Sequence, residues 1–108
     1  MATYGVVLVT AGSQAEGEAI ARALVTAKLA ACVNILPMQS LYTWQGDLCQ
    51  EPEWQLLIKT DLDCFEALAA KVRELHTYEL PEILALPIAT GSSAYLEWLG
   101  ANVAVEQP

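Results

Sequence analysis

The stretch Cys32 to Lys59 reads CVNILPMQSLYTWQGDLCQEPEWQLLIK, and the architecture turns on it. Its period is two: Cys32 to Leu36 makes a strand, Pro37 interrupts the ladder, and Ser40 to Trp44 resumes it. Proline has no N–H to offer a neighbouring strand, so the sequence predicts a bend or bulge at Pro37 and a second break at Pro52. Gln45-Gly46-Asp47 is the turn, because glycine supplies the positive φ of a tight hairpin. Leu48 to Lys59 is the return strand. Arms this long, carrying Trp44 and Trp54, reach beyond one small core.

Outward from the hairpin, helix and strand signals alternate. Tyr4 to Thr10, YGVVLVT, is a short β-branched run suited to a strand buried on both faces. Ser13 with Glu16 three residues later is a capping box. The helix it opens should place Ile20, Ala23, Leu24 and Ala27 on one face and end near Lys28. After the hairpin, Asp63 with Glu66 repeats the cap signal, and Phe65, Leu68, Ala69, Val72 and Leu75 recur at helical spacing up to His76. Ile83 to Ala89 is a last apolar strand, and Gly91-Ser92-Ser93 leads into a short helix bearing Tyr95, Leu96, Trp98 and Leu99.

The order βαββαβ plus a tail helix is an α+β, ferredoxin-like sandwich with both main helices on one face of the sheet. With no linker or internal repeat, residues 1–108 read as one domain. The other sheet face is left bare, and an exposed apolar face of that size is expected to pack against neighbouring subunits. Composition agrees, since 55% of the 108 residues are hydrophobic. A chain this short buries only about two-thirds of its extended surface. Tyr42, Trp44, Trp54, Tyr95 and Trp98 are the aromatic candidates for a subunit interface.

Thirteen acidic against five basic residues give a net charge of −8, which repels phosphate backbones and sets nucleic acid aside. No run approaches the roughly 18 apolar residues of a membrane span, and the first residues lack a signal peptide's basic region. Cys32, Cys49 and Cys64 are odd in number and show no CxxC spacing, so they read as reduced thiols of a cytoplasmic protein.

One further stretch, LHTYELPEI from Leu75 to Ile83, holds the only histidine and two carboxylates three residues apart. Neutral imidazole and carboxylates are ligands for copper or zinc, so His76, Glu79 and Glu82 are the candidate metal set. Against this, Leu80-Pro81 breaks the helical spacing that would put them on one face. In the alternative reading His76 closes the helix, where positive character suits the dipole, and Pro81 starts the last strand. Tyr78 could hydrogen-bond Glu79 or Glu82 in a pocket. Lys59 could meet an anion or pair with Glu82 across a subunit cleft, and Cys32 is a small hydrophobe whose thiol could take soft Cu(I).

The runs KLAACVNI (Lys28 to Ile35), SLYTWQGDL (Ser40 to Leu48), LLIKT (Leu56 to Thr60), LHTYELPEI and GSSAYLEWL (Gly91 to Leu99) together closely resemble the CutA divalent-cation tolerance proteins. The resemblance spans Val6 to about Val103. It implies a trimer of ferredoxin-like subunits, related in architecture to the PII signalling proteins, with hairpins exchanged between neighbours. It also implies binding of copper(II) or another divalent cation. Two departures stand out. The family usually reads His-Pro-Tyr where this chain has His76-Thr77-Tyr78, which is expected to loosen the backbone after the helix. Some members also carry a cysteine near the end of the first strand and a second histidine, where this chain has Val9 and Leu75, so a metal is expected to bind weakly.

The sequence therefore supports a trimeric cation-binding or signalling module, with a structural or adaptor trimer as the alternative. An enzyme is not expected, because there is no nucleophile elbow, P-loop, HExxH or dinucleotide fingerprint.

Overall fold

The computed structural model describes residues 2–104. Strand β1 (Tyr4–Ala11) is followed by helix α1 (Gln14–Thr26), the hairpin β2 (Cys32–Trp44) and β3 (Asp47–Asp61), helix α2 (Phe65–Leu75), strand β4 (Ile83–Pro87) and helix α3 (Ser93–Ala101). The four strands form one sheet in the order β2-β3-β1-β4, every neighbouring pair antiparallel. That is the α+β arrangement expected from the chain order.

The hairpin turns on two residues, Gln45 at φ 51 and Gly46 at φ 85. Positive φ at both is the turn whose twist matches antiparallel strands, and glycine takes the second position without strain. From Trp44↔Asp47 to Cys32↔Lys59 the pairing then holds one register. The expected interruptions do not occur: Pro37 pairs with Trp54 and Pro52 with Gln39 inside continuous strands. Strand β2 is the sheet edge, and β1 stops at Ala11↔Trp54 before reaching Pro52, so both prolines can turn their missing N–H to an unpaired side.

Alternation along β3 assigns the two faces. Leu56 and Ile58 pair with Val9 and Val7, and these four are fully buried with Ile20 and Leu24 of α1 and Leu68 and Val72 of α2. Helix α1 buries Gly17, Ile20, Ala21 and Leu24, the i, i+3, i+4, i+7 positions, so Ala21 takes the place expected for Ala27, which is the exposed C-cap. Ser13 caps it as expected, its Oγ accepting the Glu16 N–H at 3.1 Å. Its far end closes in a Schellman arrangement: the Leu29 N–H bonds the Leu24 carbonyl and the Lys28 N–H that of Val25, with Lys28 in the left-handed region at φ 59.

Before α2, the cap belongs to Asp61 and not to Asp63. The Asp61 carboxylate accepts the Asp63 N–H at 2.9 Å and opens a 3₁₀ turn, Leu62–Cys64, that feeds the helix. Helix α3 lies at the end of the sheet, where Leu99 packs with Tyr4, Cys64 and Val103. Strand β4 begins at Ile83, two residues after Pro81, and ends at Pro87, short of Ala89.

On the opposite face neither α1 nor α2 covers the sheet, and α3 packs only at its Tyr4 end. Leu8 pairs with Leu57 and Leu84, Val6 with Lys59 and Leu86, and Leu36 with Gln55. Leu84, Leu86 and Leu36 remain 53%, 48% and 44% exposed.

Gly5 sits near the start of the inner strand β1, and a Cβ there would lie 2.6 Å from Leu62 side-chain carbons. Gly5→Ala should therefore lower stability by about 1–3 kcal/mol, the usual scale for overpacking, read as a shifted urea midpoint. An unchanged midpoint would show that Leu62 swings aside freely.

Candidate functional site

The segment between α2 and β4 folds back over the end of β1. His76 ends α2 in extended backbone (φ −79, ψ 143), its N–H still bonded to the Val72 carbonyl. Its side chain is fully buried. Nδ1 accepts the Tyr78 N–H at 3.0 Å, which leaves the proton on Nε2, and Nε2 donates to the Thr10 carbonyl at 2.6 Å. This is neutral imidazole with both nitrogens engaged. It ties the segment to β1.

Glu16, the third residue of α1, holds the same segment from the other side. Its Oε2 accepts both the N–H and the hydroxyl of Thr77, at 2.9 and 2.7 Å, while Oε1 accepts the Gly12 N–H at 3.0 Å. Burial pushes the Glu16 carboxyl up, but the hydrogen bonds from Thr77 and Gly12 outweigh it and leave the group below its ordinary value of 4.5. Proline at position 77 would offer neither donor. The backbone expected to be loose is held by two charge-assisted bonds instead.

Thus fixed, Tyr78 directs its hydroxyl to Glu53 of β3, donating to Oε2 at 2.7 Å. The partners expected from the sequence were Glu79 and Glu82; a cross-sheet carboxylate wins because the segment lies over β1 and β3. Burial, and then the Glu53 hydrogen bond, push the Tyr78 phenol up. Glu53 is itself only 6% exposed. Beside it, burial and the Glu53 charge push the Glu82 carboxyl up.

Glu53 and Glu82 belong to the wall of a cleft of about 530 Å³, with Thr10, Gln55, Leu80 and the inner side of the β2 arm completing it. Tyr42 and Trp44 from that arm also line it. Tyr42 donates to Glu51 at 3.0 Å, and its phenol is pushed up to about 12, by that bond first and by desolvation second. The wall is acidic and aromatic, and carries no basic side chain.

Of the proposed metal ligands, Glu82 lines this cleft, Glu79 is exposed and outside its lining, and the His76 ring faces Thr10. The three do not converge, and among the described residues no group of three His, Cys, Asp or Glu side chains could hold a metal ion. The residues of this chain therefore do not fit a closed metal site built on imidazole. Neither Glu53 nor Glu16 was expected at the site from the sequence, where Glu16 was read only as part of the capping box. Cys32 is half-buried on the edge strand opposite Lys59, away from the cleft lining. Lys59 bonds Asn34 through its ammonium.

Among the aromatic interface candidates, Trp44, Tyr95 and Trp98 are exposed by 40–46%. Tyr42 is exposed as well, and the Tyr95 and Trp98 rings pack at 5.5 Å. Trp54 differs: it points to the helix-covered face and packs partly on the chain's own core.

The sequence model of the CutA1 divalent ion tolerance protein matches residues 5–102. The chain belongs to the CutA1 family. The divalent-cation tolerance protein CutA of Thermus thermophilus is 49% identical over 98 residues, 90% of this chain and 95% of that one. The crystal structure of CutA1 from Oryza sativa superposes with a TM-score of 0.94 at 39% identity, covering 97% of each chain. A PII-like protein CutA from Nostoc superposes at 0.87, with 32% identity, over 94% of this chain and 99% of that one. Family and fold thus agree with the resemblance read from the sequence. No helix among the described residues is long and apolar enough to cross a membrane.

The Glu16 anchor has a pH signature. Because its folded pKa is lowered, its contribution is complete above 4.5 and is lost as pH falls through the folded value. Glu16→Gln should cost about 1–2 kcal/mol at pH 7, the scale of hydrogen bonds to a charged acceptor partly retained by the amide. The difference from wild type should shrink below pH 4.5. Denaturant unfolding at pH 7 and pH 3.5 checks this, and a gap independent of pH would count against it.

Proposed function

We propose that the chain is a single domain that assembles as a homotrimer and works as a cytoplasmic, PII-like cation-binding module of its family, and not as an enzyme. The observation that carries this reading is the pair Glu53 and Glu82 in one partly dry cleft: burial and mutual repulsion push Glu82 up, and a bound cation relieves both. The bare apolar sheet face supports the assembly, the three free thiols support a reducing compartment, and an imidazole with both nitrogens engaged argues against a general base. Divalent cation is the ligand class suggested by the names of the relatives. Carboxylate oxygens would hold it with modest affinity, Cu(II) ahead of Zn(II) by the Irving–Williams order. Of the ligands named from the sequence, Glu82 keeps that role, joined by Glu53, while His76 holds the segment in place.

A second reading, a structural or adaptor trimer without a metal site, is favoured by the lack of any three-ligand group among the described residues. Calorimetric titration at pH 7 separates the two. Under the first, Cu(II) binds wild type, Glu82→Gln weakens it by about tenfold, or roughly 1.4 kcal/mol, and His76→Ala keeps the stoichiometry. Indistinguishable heats from wild type and Glu82→Gln would favour the second reading, and loss of binding in His76→Ala alone would return the ligand role to the imidazole.

Assembly is tested separately. Sedimentation equilibrium should give a trimer at micromolar concentration, and Trp44→Ala, which empties the pocket of an aromatic anchor near the arm tip, should shift the balance toward smaller species on dilution. A monomeric wild type would sink the assembly.

A further inference from the structure

Lys59 is the only basic side chain on any strand; Arg22, Lys71 and Arg73 are on α1 and α2, and Lys28 follows α1. It stands on the uncovered sheet face, opposite Val6 on one side and Cys32 on the other. Its ammonium bonds the Asn34 amide oxygen, and among the described residues no carboxylate forms an ion pair with it. Its neighbours on that face include Leu57, Leu86 and Val6. Covering this surface with another apolar face would bury a cation with only a neutral partner, which is strongly unfavourable unless the covering surface brings an anion.

The same face carries the missing charge elsewhere. Glu53 and Glu82 share the cleft at the other end of the sheet with no basic residue in its lining. Burial and the Glu53 charge push Glu82 up, as expected of a carboxyl lacking a counter-charge. One chain thus presents a cation without an anion and an anionic cleft without a cation, on two different patches of one apolar face.

We propose that Lys59 of one copy enters the Glu53–Glu82 cleft of a second copy, so that the cleft is completed only by the neighbouring subunit. Two different patches meeting head to tail make a heterologous contact, which closes into a ring when the rotation allows. With a net charge of −8 the copies repel each other at long range, and this pair supplies a local attraction that also fixes the register of the apolar faces. A divalent cation entering the cleft then competes with the ammonium.

The inference rests on the assembly proposed above, and its test is made without metal so that the two can fail separately. Dissociation of the full chain in chelator-containing buffer at pH 7 is followed by sedimentation velocity over a dilution series. Lys59→Met and Glu82→Gln should each raise the dissociation constant by about tenfold or more, as truncation of one partner of a desolvated charge pair does. The double variant should be no weaker than the weaker single one, and Lys59→Arg should stay near wild type. The reversed pair Lys59→Glu with Glu82→Lys should recover most of the loss shown by either reversal alone. Circular dichroism of each variant separates lost assembly from lost folding; if Lys59→Met does not fold, the Glu82→Gln and Lys59→Arg results and the reversed pair decide. Additive effects of the two substitutions, or unchanged dissociation in Glu82→Gln, would overturn the pairing while leaving the trimer standing. A wild type that never associates would overturn both.

Discussion

Strand β3 fixes the rest of the chain through the phase of its alternation. It pairs with β1 from Trp54 to Asp61 and with β2 along nearly its whole length, so its even-numbered residues set one face of the sheet and its odd-numbered residues the other. The even set meets α1 and α2; the odd set, with Leu57, Lys59 and Gln55, lies on the face that those two helices leave open. A slip of one residue would exchange the two sets and put Lys59 and Gln55 under the helices. The two-residue turn at Gln45 and Gly46 prevents that, because its length and its positive φ values permit a single antiparallel register.

Much of this could be read in the sequence because it is local or periodic. The turn glycine, the Ser13 cap and the helical spacing of Leu68, Ala69 and Val72 each report on neighbours a few residues away. The misreadings came where local chemistry has two outcomes. A proline in a strand signals a break only if its N–H side would face a partner, and whether Pro37 or Pro52 does so depends on which strand forms the edge. Asp61 and Asp63 are both competent caps, and the 3₁₀ turn ahead of α2 chooses between them.

The site was legible only in part, for a related reason. The segment from His76 to Glu82 could be picked out by its composition, but its contacts are made with residues far along the chain. His76 reaches Thr10, Thr77 reaches Glu16 and Tyr78 reaches Glu53. No spacing rule pairs them. Once the ring of His76 is bonded at both nitrogens it serves as a link between α2 and β1, and the carboxylates left facing the cleft are Glu53 and Glu82. Thr77 makes the same point, since threonine leaves the backbone freer than a proline would, and the Glu16 carboxylate holds it from another element.

The shape of the molecule bears on the cleft and on the assembly proposed above. Beyond Trp54 the arm from Met38 to Trp44 and Asp47 to Glu53 has no third strand, and the molecule extends 44 Å along its longest axis against 26 and 23 Å across the others. A two-stranded ribbon is marginal in water on its own, and this one leaves Leu41 62% and Leu48 76% exposed near its tip. Glu53 lies at the base of that ribbon, under Tyr78, and Tyr42 and Trp44 form the cleft wall farther out. The cleft therefore has one wall fixed by the core and one wall whose stability depends on what covers the arm. In the assembly proposed above, whatever seats the arm would set the width of the cleft, so ligand affinity there and subunit contact would be two readings of one free energy, each able to bias the other.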